Sequence, residues 1–262
     1  MGGRGGTLRR PTNQESHPSR RTCTGAPTCG FAGYDDGVTD LFRLAGRAVG
    51  VPLGAVARWR HGKPMHPRGA VFGGVLERYG STPEIGVAWL DTPATDRVVV
   101  RLSRGVGLPA RWPDLLGLAV RIPGPEPVDL LLSSAGRGRL GRLVPVLRRD
   151  AAAGYSSIMA YRSDAGPLRF GAFPYQDGVP SGPQTLAGAV AREGLDFTLV
   201  TARGPGPWRP VGRLTLGAPA EPLDPDVRFD AVQHPPPGLV PDGPMARFRA
   251  PAYAAARAAR PA

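Results

Sequence analysis

The chain has 262 residues, 41% of them hydrophobic, which suits one domain of single-barrel size, or two small ones, with a real core. Its 37 Gly and 31 Pro follow no period, which excludes a collagen-like fibre and points to many short elements joined by tight turns. The formal charge of +12 is almost wholly arginine, with Lys63 the only lysine. The arginines form no long run and do not alternate with aromatic residues, which argues against a nucleic-acid surface.

In chain order, residues 1–35 are rich in Gly, Arg, Ser and Thr and poor in apolar side chains. They cannot repay their ordering entropy, so a disordered basic tail is expected there, with the folded domain over 36–262. The tail carries no apolar stretch of signal-peptide type. Both cysteines, Cys23 and Cys29, lie in it, and no apolar run reaches spanning length. A cytoplasmic protein without membrane contact is the expectation. Thr39 is placed to cap a helix over DLFRLAGRAVG.

Apolar, β-branched runs of strand length follow at 71–80, 84–91, 97–103, 115–123 and 128–134. The run 139–150 has helical spacing. Further strands are predicted at 156–164, 168–175, 197–203 and 211–217, with a helix over 186–194 and an Ala/Arg-rich helix at the end. Short strands punctuated by DTPATD and SDAGP argue for an antiparallel barrel or sandwich.

Gly136-Arg137-Gly138-Arg139-Leu140-Gly141 matches the dinucleotide fingerprint GxGxxG. Its arginines crowd the place of a pyrophosphate, and the chain beyond it gives hairpins rather than βαβ units. GxSxG, HExxH and paired Cys/His spacings are absent from the sequence. The histidines are His17, His61, His66 and His234; taken alone, His66 before a strand reads as structural or solvent-facing.

Six segments in order change that reading. HPRGAVFGGVLE from His66 resembles the stretch of heme catalases that begins at the distal histidine. VVRLSRGVGLPARWPDLLGLAVRI resembles their VRFS segment and following strand, with Arg101, Ser103, Asp114 and Gly117 on matching types. VDLLLSS, YSSIMAYRSDAGPLRFGAFP and PVGRLTL continue the match, and Arg249 with Tyr253 repeats the R-xxx-Y spacing of the family's last heme segment.

The resemblance to the catalase superfamily implies an α+β fold: an antiparallel eight-stranded β-barrel of catalase type with flanking helices. It implies heme b as cofactor and a peroxidase or catalase-like activity on hydrogen peroxide or organic hydroperoxides. His66 would be the distal base and Ser103 its hydrogen-bonding partner. Tyr253 would be the proximal tyrosinate on the metal, with Arg249 favouring its anion. Arg101 and Lys63 would meet the propionates. A homodimer is compatible with this reading.

The resemblance puts the family's distal asparagine just before the VDLLLSS strand, where Pro127 stands; Asn13, in the tail, is the only asparagine, so that residue has no counterpart in the body of the chain. None of the matching segments resembles the family's C-terminal helical domain, and a chain lacking that domain is the expectation. A more open heme, admitting larger hydroperoxides and weak in dioxygen release, is therefore expected. The other readings are a degenerate catalase-like scaffold without heme chemistry and a basic nucleic-acid-binding module.

Overall fold

The strands can be followed in a computed structural model, which describes Gly2 and residues 66–247. The expected tail, the helix after Thr39, and the candidates Lys63, Arg249 and Tyr253 lie outside the described residues. In order come β1 (Arg68–Arg78), α1 (Ala88–Asp91), β2 (Ala94–Arg104), β3 (Asp114–Ile122), β4 (Val128–Ser134), β5 (Leu147–Arg148), β6 (Tyr155–Ser156) and β7 (Ala160–Ser163). Next are β8 (Gly166–Pro174), α2 (Pro183–Glu193), β9 (Leu195–Arg203), β10 (Arg209–Pro219) and β11 (Val240–Asp242).

All pairings are antiparallel. The order β8-β6-β4-β3-β2-β1-β10-β9 closes on itself through β8–β9, which makes the expected eight-stranded barrel. Period-two burial fills it: Val98, Val100 and Leu102 of β2, Leu116, Leu118 and Val120 of β3, and Phe197 and Leu199 of β9 face inward. Phe170 meets Trp89 and Tyr161 edge-to-face at centroid distances of 6.1 and 5.4 Å. Closure leaves no unpaired edge among these eight strands.

Three predicted elements differ. The strand expected at 84–91 is a turn leading into α1. The Asp91 carboxylate takes the backbone N–H groups of Ile85, Gly86 and Val87 at 2.8–2.9 Å, so those donors are spent on a local loop rather than on a ladder. Burial opposes the Asp91 charge, but these three bonds outweigh it and hold the carboxyl below its ordinary range. The stability it contributes is complete above the unfolded carboxylate pKa of about 4 and lost as pH falls through the lower folded value. Asp91→Asn is expected to cost about 1–2 kcal/mol at pH 7 and progressively less below pH 4, read by urea unfolding at both pH values.

The helix predicted at 139–150 shrinks to one 3-10 turn, Gly141–Leu143, followed by β5. Gly136 and Gly141 abut each other, a Cβ on Gly136 standing 2.9 Å from the Gly141 Cα. The glycines of the GxGxxG match thus serve a tight backbone approach, with no helix N-terminus for a phosphate. The run 156–164 splits into β6 and β7 around Ile158, whose φ is 55°. The helix expected at 186–194 is present as α2, and residues 243–247 are helical at the end of the described chain.

Candidate active site

Across β1–β4 one face looks into the barrel and the other carries the candidate residues. The register Gly69↔Ser103, Ser103↔Gly117 and Gly117↔Ser133 places these four small residues in one row on the outer face. Half-buried Val99, Ala119 and Leu131 continue that face. His66, directly before β1, stands over this row.

The hairpin loop joining β2 to β3 sets where His66 can be. Buried Asp114 gathers the N–H groups of Val106, Gly107 and Leu108 at 2.9–3.0 Å. Arg104, 1% exposed, donates to the carbonyls of Leu108, Pro109 and Trp112 and to the Ser181 hydroxyl. Burial lowers the Arg104 pKa, and Asp114 at 3.6 Å works the other way. The loop so fixed presents the Gly105 carbonyl to the His66 N–H at 2.8 Å.

The rest of His66 is held as firmly. Its carbonyl accepts from Arg101 Nη2 at 3.0 Å, and its ring Nδ1 lies 2.9 Å from Ser103 Oγ. The Ser103 hydroxyl also reaches the Gly117 carbonyl at 3.4 Å. If that carbonyl takes the hydroxyl proton, Ser103 accepts from Nδ1–H and Nε2 becomes the acceptor nitrogen of the ring. The backbone of His66 sits at φ 57°, an unusual region for a residue with a Cβ. Strain of order 1–3 kcal/mol is carried here, at a side chain whose chemistry depends on placement.

Gly117 is the seat of the imidazole. A Cβ there would stand 2.6 Å from His66 Cε1, 2.8 Å from Nδ1 and 2.9 Å from Ser103 Oγ. Gly117→Ala should therefore expel the ring from its place and cost about 1–3 kcal/mol of stability. The check is urea unfolding together with a histidine NMR spectrum, in which the His66 signals should shift and broaden.

Of the predicted site residues, His66, Ser103 and Arg101 come together. Arg101 is already engaged within the protein: Nε and Nη2 lie 2.7 and 2.8 Å from the Asp224 oxygens. Asp224 and Ser133 are the site residues that sequence reasoning missed. Asp224 sits in a proline-rich stretch 123 positions from Arg101, where no local pattern marks it. Ser133 ends the VDLLLSS run and is revealed only by its register with Gly117.

A separate polar cluster lies farther along the same face. Asp129, fully buried, receives Arg121 Nε and Nη2 at 2.7 and 2.5 Å and the Asp230 N–H at 2.6 Å, with His234 Nδ1 3.3 Å away. The Arg121 guanidinium lies 5.3 Å from the Phe229 ring centroid. This cluster ties the chain after β10 to β3 and β4. No group of three or more His, Cys, Asp or Glu suited to a metal ion occurs among the described residues. No helix among them is long and apolar enough to cross a membrane.

No family model matches the sequence, and no curated protein matches it. Solved structures do match in fold. Catalase A from Saccharomyces cerevisiae superposes with a TM-score of 0.52 at 12% identity over 73% of this chain and 60% of that one. A fungal catalase gives 0.52 at 14% identity over 74% and 58%, and a bacterial catalase 0.53 at 14% over 75% and 56%. The chain thus spans less than two thirds of the length of these catalases, and at such identities the likeness is one of fold: a catalase-type β-barrel.

Proposed function

We propose that this chain is a heme-dependent, catalase-like peroxidase acting on hydrogen peroxide or organic hydroperoxides. The observation that carries the reading is the triple fixation of His66, at its N–H, its carbonyl and its Nδ1, above a glycine that leaves room for the ring. A surface histidine without a task needs none of this. The small-residue row seats the imidazole, and half-buried Val99, Ala119 and Leu131 on the same face offer an apolar surface that would suit a large apolar cofactor. Heme b is the group the sequence resemblance implies. Tyr253 would supply the ligand to its metal, Arg249 would favour the tyrosinate, and Lys63 and Arg101 would meet its propionates.

When bound, the heme supplies the iron redox chemistry that breaks the O–O bond. His66 supplies the proton handling. Its Nε2 would take the proton from the hydroperoxide O–H and would return it to the oxygen that departs as water or alcohol. With Ser103 accepting from Nδ1–H, the lone pair of the neutral ring lies on Nε2, the atom that would take the proton. Ser133, across Gly117 from Ser103, continues the polar row beside the imidazole. With Asn13 the only asparagine of the sequence, no asparagine from residues 66–247 would orient a second peroxide, which favours O–O cleavage over dioxygen release.

Turnover of hydrogen peroxide and of a bulky organic hydroperoxide, with dioxygen release followed in parallel, tests the reading. Peroxidase turnover of both substrates with slow dioxygen release is expected. Fast dioxygen release would contradict the peroxidase assignment. The absent asparagine also motivates a second reading, a catalase-like scaffold without heme chemistry. Failure to take up hemin would select it.

A further inference from the structure

We propose that Asp224 is a positioning residue for His66, acting through Arg101. This deepens the reading in which His66 moves the proton, and it rests on that reading for its functional consequence.

Arg101 is 5% exposed, and one of its nitrogens does two jobs. Nη2 donates to the His66 carbonyl at 3.0 Å and to Asp224 Oδ2 at 2.8 Å, while Nε meets Asp224 Oδ1 at 2.7 Å. The paired carboxylate oxygens and the planar guanidinium form a two-point fork, which fixes the direction of the remaining donors. Asp224 is itself anchored at β1, where its Oδ2 accepts the Gly69 N–H at 3.1 Å. Gly69 also makes room for the fork, since a Cβ there would stand 2.8 Å from Arg101 Cζ. The segment carrying Asp224 is pinned beside β1 by Val71 N–H to the Leu223 carbonyl and by Ala220 N–H to the Val71 carbonyl, both 2.8 Å. The chain leaving β10 therefore reaches back across β1 and locks the arginine that locks His66.

The lock has a purpose beyond packing. His66 lies at φ 57° and precedes Pro67, a backbone state that does not hold itself. Its N–H bond to Gly105 fixes one side of the residue, and the carbonyl bond to Arg101 fixes the other. Without Asp224 the guanidinium keeps its charge but loses its direction. The His66 peptide then relaxes, and the imidazole leaves the line from Ser103 to its seat on Gly117.

The test uses the full-length chain labelled with 15N-histidine, as wild type, Asp224→Asn and Asp224→Glu, with Asp96→Asn as a control at a distant ion pair with Arg78. In the wild type the His66 ring nitrogens should report one tautomer at neutral pH. Asp224→Asn is expected to move them toward tautomer-averaged shifts and to lower kcat for hydroperoxide about tenfold or more, with KM within about threefold. Asp224→Glu should restore part of both, and Asp96→Asn should change neither. Wild-type imidazole signals in a folded Asp224→Asn protein would overturn the proposal. Should Asp224→Asn not fold, Arg101→Lys, which cannot bridge carboxylate and carbonyl as a fork, is read in the same way. The imidazole spectrum is read without heme, so a protein that takes up no heme would refute the peroxidase reading while still deciding the role of Asp224.

Discussion

Replacing His66 with glutamine is expected to lower hydroperoxide turnover by about 10²–10⁴-fold while leaving the fold and heme uptake intact. Glutamine can still meet Ser103 with its amide, so the hydrogen bond at the Nδ1 position has a substitute. It cannot accept a proton and pass it on, so the step that needs a base loses its carrier. The backbone bonds to Gly105 and Arg101 do not involve the side chain and should persist. Loss of activity with an unchanged melting temperature and unchanged hemin binding is the predicted signature. Turnover within about threefold of wild type would remove His66 from the reaction.

The largest stability loss is expected at Asp129. Asp129→Ala takes the bidentate carboxylate from Arg121, whose side chain is 20% exposed and keeps the attraction of Asp230, and strips the Asp230 N–H of its acceptor. Breaking one side of a largely buried pair costs up to about 3–5 kcal/mol, because the survivor stays charged and mostly desolvated. The side-chain hydrogen bonding of Arg121 to the Asp129 carboxylate raises the Arg121 pKa most, against the burial that would lower it. Removing both partners should cost less than the sum of the single losses, so the Asp129/Arg121 double variant should be coupled by more than about 1 kcal/mol. The pair Arg213–Asp196 is the contrast. Its arginine side chain is 45% exposed, and Asp196→Asn should cost less than about 1 kcal/mol. Urea unfolding of the wild type and the four variants measures both expectations.

Much of the barrel was legible because its signal is local. β2, β3 and β4 alternate or run apolar with β-branched residues, and their pairing needs only the turns between them. The stretch at 84–91 misled because EIGVAWLD is apolar enough for a strand, while the decision lies with one carboxylate that collects three backbone donors. The stretch at 139–150 misled because its leucine spacing is helical, yet Gly141, Pro145 and the contact with Gly136 stop a helix after one turn. Its Leu147 then pairs with Leu115 at the start of β3.

The candidate site divides the same way. His66 and Ser103 were legible as a pair only through the resemblance, since 37 positions separate them and no spacing rule links them. Asp224 was not legible at all. Its partners lie on β1 and β2, and the proline-rich segment around it carries no periodicity. Arg101 was legible only through the resemblance, as a propionate partner, and its partner within the chain appears only once the segment after β10 is seen to fold back over β1. Ser133 needed the β3–β4 register, which no single strand encodes.

Heme held by the barrel, with Tyr253 as its ligand, is tested most directly by the absorption spectrum of wild type and Tyr253→Phe, purified after growth with heme precursor and again after titration with hemin. A Soret band of tyrosinate-ligated type is expected in the wild type, shifted or lost in Tyr253→Phe. A wild type that shows no Soret band even with added hemin would contradict it, leaving a catalase-type barrel whose fixed histidine serves another chemistry.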